Sequence, residues 1–173
     1  MHRIRMLCIT TLAMLCVGIA LTMTDALAQG TSKVDTTKLV GDWTLVSVNN
    51  TFPDAKTVQS FGPNDGIMVF GANGRFVEAL ARPDIPNFAS NNRNTGSSDE
   101  NKAVVQGSVM FFGTYTVSED GTLTLHIERS TFPNWNGTVH TRTITSLTAD
   151  ELKWHNPLAT VGGTTETTWK RTR

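Results

Sequence analysis

The sequence predicts an all-β protein: eight antiparallel strands in up-and-down order, closed into a barrel, with one short helix between the third and fourth strands. Three observations carry this prediction. From Leu39 onward, apolar residues recur with period two in short runs. Most runs are joined by compact turn-forming segments such as Gly71-Ala72-Asn73-Gly74 and Ser118-Glu119-Asp120-Gly121. Threonine is abundant throughout, which suits pleated and half-exposed positions. Eight such strands leave two unpaired edges unless the sheet closes. Closure at about eight strands leaves an interior filled by side chains or by one small ligand. A two-sheet sandwich is the competing architecture.

The chain opens on a segment of another kind. Met1 to Arg5 carries His2, Arg3 and Arg5, Met6 to Met23 is almost uninterrupted apolar sequence, and Ala26-Leu27-Ala28 precedes Gln29. A basic start, an apolar stretch and a small-x-small site read as a secretory signal peptide over residues 1–28. The rival is an uncleaved anchor, because about 18 apolar residues approach spanning length; Thr10, Thr11 and Gly18 weaken it. Leu7 precedes Cys8 and Leu15 precedes Cys16, so neither cysteine follows the small residue that a lipoprotein site needs. The protein is therefore expected to be exported, to a periplasm or to the outside, with no stable membrane insertion once the signal is removed.

Residues 29–38 show no apolar period and read as a loose lead-in to a barrel domain over 39–173. The expected strands are Leu39 to Val48, Gly66 to Phe70, Arg75 to Ala81, Ser108 to Val117, Thr122 to Glu128, Thr138 to Leu147, Glu151 to His155 and Thr164 to Lys170. Asn73-Gly74 supplies the positive φ of a hairpin turn. Arg82 to Thr95 holds Pro83, Pro86, Asn87, Asn91, Asn92 and Asn94, and reads as a long loop. Ser97-Ser98 followed by Asp99-Glu100 favours a helix start, and Gly107 a stop.

Composition narrows the function. The 173-residue chain carries 15 basic and 15 acidic residues and two cysteines. Removing residues 1–28 leaves 145 residues, with 13 basic and 14 acidic side chains and no cysteine. A net charge of −1 gives nucleic acid nothing to hold. Without cysteine the exported domain has no disulfide, no thiol chemistry and no Cys-bound metal.

Gly41-Asp42-Trp43 opens the first strand. With it stand Phe61-Gly62-Pro63-Asn64, Asn73-Gly74-Arg75, Ala81-Arg82-Pro83-Asp84, Phe112-Gly113-Thr114-Tyr115-Thr116-Val117 and Phe132-Pro133-Asn134-Trp135-Asn136-Gly137. These segments resemble the bacterial and fungal lipocalin-like domain family, over roughly Leu39 to Arg171. The resemblance implies one β-barrel with an internal cavity and no single activity. It implies that Trp43 fills the closed base, covered by Lys170 or Arg171. It also implies a basic residue after the Phe-Pro-Asn-Trp-x-Gly run, here Arg142, as the foremost ligand contact.

The remaining site candidates come from the strand pattern. The fourth strand places Val109, Phe111, Gly113, Tyr115 and Val117 on one face and Met110, Phe112, Thr114 and Thr116 on the other, and periodicity does not say which is inward. Leu123, Leu125 and Ile127 alternate with Thr124, His126 and Glu128; His140 and Arg142 alternate with Val139, Thr141 and Thr143. If the polar sets face the lumen, His126, Glu128, His140 and Arg142 gather there; if not, they are surface residues. The ligand-binding candidates are thus Arg142, Tyr115, His126, Glu128, Phe112 and Trp135. The barrel-base candidates are Trp43 and Arg171. Trp135 sits in a loop that either plugs a barrel end or lines its mouth.

No G-x-S-x-G or H-E-x-x-H motif and no glycine-rich loop opening a helix occurs. His126, His140 and His155 are spread over three strands, without metal-site spacing. No cofactor, metal or catalytic residue is expected. The leading expectation is an exported barrel that binds a small, mainly hydrophobic molecule. The alternatives are an isomerase or cyclase, with His126, Glu128, Tyr115 and Arg142 as its groups, and a non-catalytic envelope module.

Overall fold

The computed structural model describes residues 34–173. The expected signal segment lies outside the described residues. The strands are β1 (Gly41–Thr51), β2 (Thr57–Phe61), β3 (Gly66–Phe70), β4 (Arg75–Ala81), β5 (Ser108–Val117), β6 (Thr122–Ser130), β7 (Val139–Leu147), β8 (Glu151–Asn156) and β9 (Thr164–Arg171). Every neighbouring pair is antiparallel, and β1 also pairs with β9 from Trp43↔Arg171 to Thr51↔Thr164. That pairing closes the sheet and excludes the sandwich.

The strand count differs from the expectation in one place. Thr57–Phe61 is a strand that the periodicity did not reveal, because its face toward solvent carries Val58 and most of its residues are exposed. β2 pairs with Val48–Thr51 and β3 with Gly41–Thr44, so both run along the same edge of β1. Gly62-Pro63-Asn64-Asp65 interrupts them, yet Asn64 N–H still donates to Leu45 C=O at 2.9 Å. Together β2 and β3 fill one position of an eight-position ring, which preserves the eight-strand barrel.

The single helix α1 (Ser98–Gly107) stands between β4 and β5, the third and fourth positions of the ring. Ser97 caps it: its Oγ accepts from Glu100 N–H, while Glu100 Oε2 accepts from Ser97 N–H at 2.7 Å. Glu100 Oε1 also accepts from Ala89 N–H at 2.7 Å, tying the long loop to the helix start. These donors hold the Glu100 carboxyl below its ordinary pKa. Among the described residues no helix is long and apolar enough to cross a membrane.

Period two now resolves into inside and outside. Inside lie Trp43, Leu45 and Val48 of β1, Met68 and Phe70, Phe76 and Leu80, Phe111, Leu123, Leu125 and Ile127, Ile144, Leu152 and Trp154, and Trp169. The apolar set of β6 faces in, so His126 and Glu128 face out. On β5 the Phe111 set faces in and Phe112 stands half-buried on the outer wall. A bulge between Phe112 and Gly113 lets β5 approach β6 closely. A Cβ on Gly113 would overlap the His126 carbonyl oxygen, which explains the glycine.

Candidate functional site: the two ends of the barrel

Up-and-down connectivity gives the barrel two unlike ends. The short turns after β3, β5 and β7 gather at one end with the start of β1 and the finish of β9. Trp43, fully buried, fills this base and donates from Nε1 to Leu39 C=O at 2.9 Å. The Arg171 guanidinium lies 4.0 Å from the centre of the Trp43 ring. It also donates to Ala149 C=O at 2.9 Å, to Val40 C=O at 2.8 Å and to Lys38 C=O. One side chain thereby joins the β7–β8 turn to the lead-in before β1. From Val34 on, that lead-in is more ordered than its composition predicts: Asp35 caps a 3-10 turn over Thr36–Lys38, and Leu39 just after it is fully buried.

Tyr115 belongs to this end. Its hydroxyl donates to Gly71 C=O at 3.0 Å, and its ring meets Phe70 edge-on at 4.8 Å. Burial raises its pKa. The phenol is therefore engaged by the β3–β4 turn.

The opposite end carries the β1–β2 turn, the 82–97 loop with α1, the β6–β7 loop and the β8–β9 loop. Here the inner wall mixes aromatic and ionisable groups. Trp135, in the 3-10 turn Pro133–Trp135, packs edge-on against Phe111 at 5.1 Å, Phe132 at 5.7 Å and His140 at 5.0 Å. Phe111 belongs to the core, so Trp135 packs onto the inner wall at this end of the barrel. On β7, Thr141 and Thr143 are exposed, while His140, Arg142 and Ile144 turn inward. Arg142 donates to Thr141 C=O at 2.8 Å.

The group that the periodicity held but the sequence reading did not single out is Glu78. Phe76, Glu78 and Leu80 share the inward face of β4, and Glu78 is only 7% exposed. Its cross-strand neighbours are Met68 and Phe111, both apolar. Burial pushes its carboxyl up to about 7, against the pull of the Arg142 charge. Burial likewise pulls Arg142 below the ordinary guanidinium value, with Glu78 opposing, and a guanidinium stays charged under such shifts. His140 is held below its ordinary value by burial first and by Arg142 second. Glu78 and Arg142 therefore feel one another through the barrel interior, yet no hydrogen bond or ion pair joins them among the described residues. An acid between two apolar residues of one strand face was the available signal.

A buried hydrogen-bonded set braces the rim. Thr165 Oγ1 donates to Asn50 Oδ1 at 2.8 Å and Asn50 Nδ2 donates to Ser60 Oγ, tying β9, β1 and β2.

The other candidates stand on the outer face of the sheet. Arg75 grips Glu128 with two hydrogen bonds, 2.6 and 3.0 Å, on the surface. His126 is exposed. Both border a shallow outer groove of about 490 Å³ with Arg129, Thr138 and Val139. The structure thus divides the four polar candidates into His140 and Arg142 inside and His126 and Glu128 outside. Among the described residues no three metal-ligating side chains come together.

Comparison with known proteins places the chain. No curated protein matches it. A lipocalin-like protein from Bacteroides uniformis shares 15% identity over 78% of this chain and 99% of its own, with a TM-score of 0.46. A de novo designed fluorescence-activating β-barrel shares 14% over 80% and 99%, at 0.42. A deswapped triple mutant of the bovine odorant binding protein shares 20% over 78% and 74%, at 0.36. The profile of the lipocalin-like domain matches residues 40–172. The chain belongs to the lipocalin-like domain family.

Proposed function

We propose that the protein is an exported binder of a small, mainly apolar molecule, held in the barrel lumen toward the open end with its polar end at Arg142. One observation carries this reading: Arg142 belongs to the inward set of β7, and no carboxylate contacts its guanidinium among the described residues. Such a group keeps strong, directional donors for a guest. The wall around it is apolar and aromatic, with few placed polar groups, as small-molecule sites usually are. Trp43 and Arg171 seal the base, so the guest enters past Trp135 at the mouth. Export rests on residues 1–28.

The test uses the protein purified after export. Intact mass checks cleavage after Ala28. Titration with the neutral fluorescent probe N-phenyl-1-naphthylamine is expected to give saturable binding of one probe per chain. Trp135→Ala is expected to weaken it, and Glu128→Gln to leave it unchanged. A protein that neither takes up this probe nor carries a hydrophobic compound in native mass spectrometry refutes the reading.

A further inference from the structure

We infer that the ligand's polar end is an oxygen acid, a carboxylate or an acidic enol, shared between Arg142 and a protonated Glu78 that faces it across the lumen. The inference rests on the lumenal reading above and adds the chemistry of the guest. β4 and β7 stand three positions apart in the eight-position ring, and the Glu78 and Arg142 groups act on one another electrostatically through its interior. Glu78 is 7% exposed, with Met68 and Phe111 beside it and Phe76 and Leu80 above and below along its strand. No partner satisfies it among the described residues. A guanidinium and a carboxyl group that face each other without touching keep their desolvation cost and forgo the contact that would offset it.

An acidic head completes the arrangement. Its anionic oxygens accept the guanidinium hydrogens, and the Glu78 carboxylic acid donates its O–H to the same head. The buried charges then sum to zero. An ammonium head would instead sit beside Arg142 and leave the lumen positive. The other titratable side chains facing this space are His140, neighbouring Arg142 on β7, and Tyr115 on β5, already bonded to Gly71. β3 and β5 present only Met68 and Phe111 to Glu78. The raised pKa of Glu78, about 7, makes the proton available near neutrality. Binding then carries a proton: the acid form of Glu78 holds the guest, and the carboxylate form repels it.

The experiment displaces N-phenyl-1-naphthylamine from the exported protein with decanoic acid, 1-decanol and decylamine, at pH 6 and pH 8. Decanoate is expected to bind at least about tenfold tighter than decylamine at pH 6, and to weaken about tenfold by pH 8 as Glu78 loses its proton. Decanoic acid itself is ionised at both values. Glu78→Gln is expected to flatten the pH dependence to less than about twofold. Arg142→Met is expected to bring decanoate down to the affinity of 1-decanol. If the probe and 1-decanol bind but decanoate holds no advantage over decylamine, the acid head is overturned and the lumenal site stands. A pH slope that survives in Glu78→Gln also overturns it. If neither the probe nor any alkyl compound binds, both readings fall. The decanoate-to-decylamine ratio of the unaltered protein decides even if a variant does not fold.

Discussion

Glu78 makes stability against unfolding depend on pH, in a direction opposite to that of most carboxylates. In the folded chain its pKa is raised from 4.5 to about 7. The folded state therefore binds the proton more tightly than the unfolded state. The stabilisation is fully present below pH 4.5, and it is lost as pH rises toward 7, beyond which it stays lost. Two and a half pH units, at about 1.4 kcal/mol each, amount to about 3 kcal/mol. Glu78→Gln keeps the shape and the neutral polarity of the acid form and removes the titration. The variant is expected to match the parent near pH 4.5 and to exceed it by about 3 kcal/mol at pH 8. The assay is urea unfolding followed by tryptophan emission, at half-unit steps from pH 4.5 to 8. Other titrations cancel in the difference between the two proteins, including Asp35, Asp120 and Glu151, whose pKa values are lowered by their hydrogen bonds. A difference that stays constant with pH, or that grows toward acid, refutes the placement of Glu78 in the apolar wall.

Three further outcomes follow from the packing. Trp43→Phe is expected to cost about 1–3 kcal/mol more than Trp169→Phe in urea unfolding, because Trp43 Nε1 donates to Leu39 and its ring carries Arg171, whereas Trp169 Nε1 is buried without a partner. Equal costs would contradict the sealing role of Trp43. Gly113→Ala is expected to destabilise by more than about 2 kcal/mol or to prevent folding, since the new carbon meets the backbone of β6 rather than a side chain that can move; a shift of a degree or two in melting temperature would refute that contact. Glu128→Gln is expected to change stability by less than about 1 kcal/mol, because its pair with Arg75 lies on the surface, where screening is strong.

Much of the barrel was legible because burial on one face writes period two into a strand. β6 is the clearest instance: Leu123, Leu125 and Ile127 alone determine which way His126 and Glu128 point. β5 was ambiguous because Met110 and Phe112 make its outer face nearly as apolar as its inner one. β2 was illegible for the opposite reason: it is short and mostly exposed, and the pairing that makes it a strand comes from the far half of β1. Gly41-Asp42-Trp43 placed the base, yet it took the fold to choose Arg171 over Lys170, since these neighbours on β9 point to opposite faces. At the candidate site, the resemblance singled out Arg142, while the strand pattern left its direction open. Its counterpart Glu78 is 64 residues away in sequence, and no local pattern connects them. Only the ring brings β4 across from β7.

The seam between β1 and β9 has a consequence for the order in which the ring forms. Every other junction, except the one spanning α1 and the β1–β3 pairing that spans β2, joins strands consecutive in sequence, so each can zip as soon as its turn exists. The last junction joins residues up to 131 apart, as in Val40 with Arg171, and waits until both ends of the chain are present. Until then the sheet is an open ribbon with two bare edges, and Trp43 and Trp169 lack their final neighbours. The seam is thus expected to close last, and a β1–β9 variant such as Trp43→Phe to slow refolding in stopped-flow measurement. It also brings the start of β1 and the finish of β9 together at one end, so the ring can be cut at another turn and rejoined here without losing a strand.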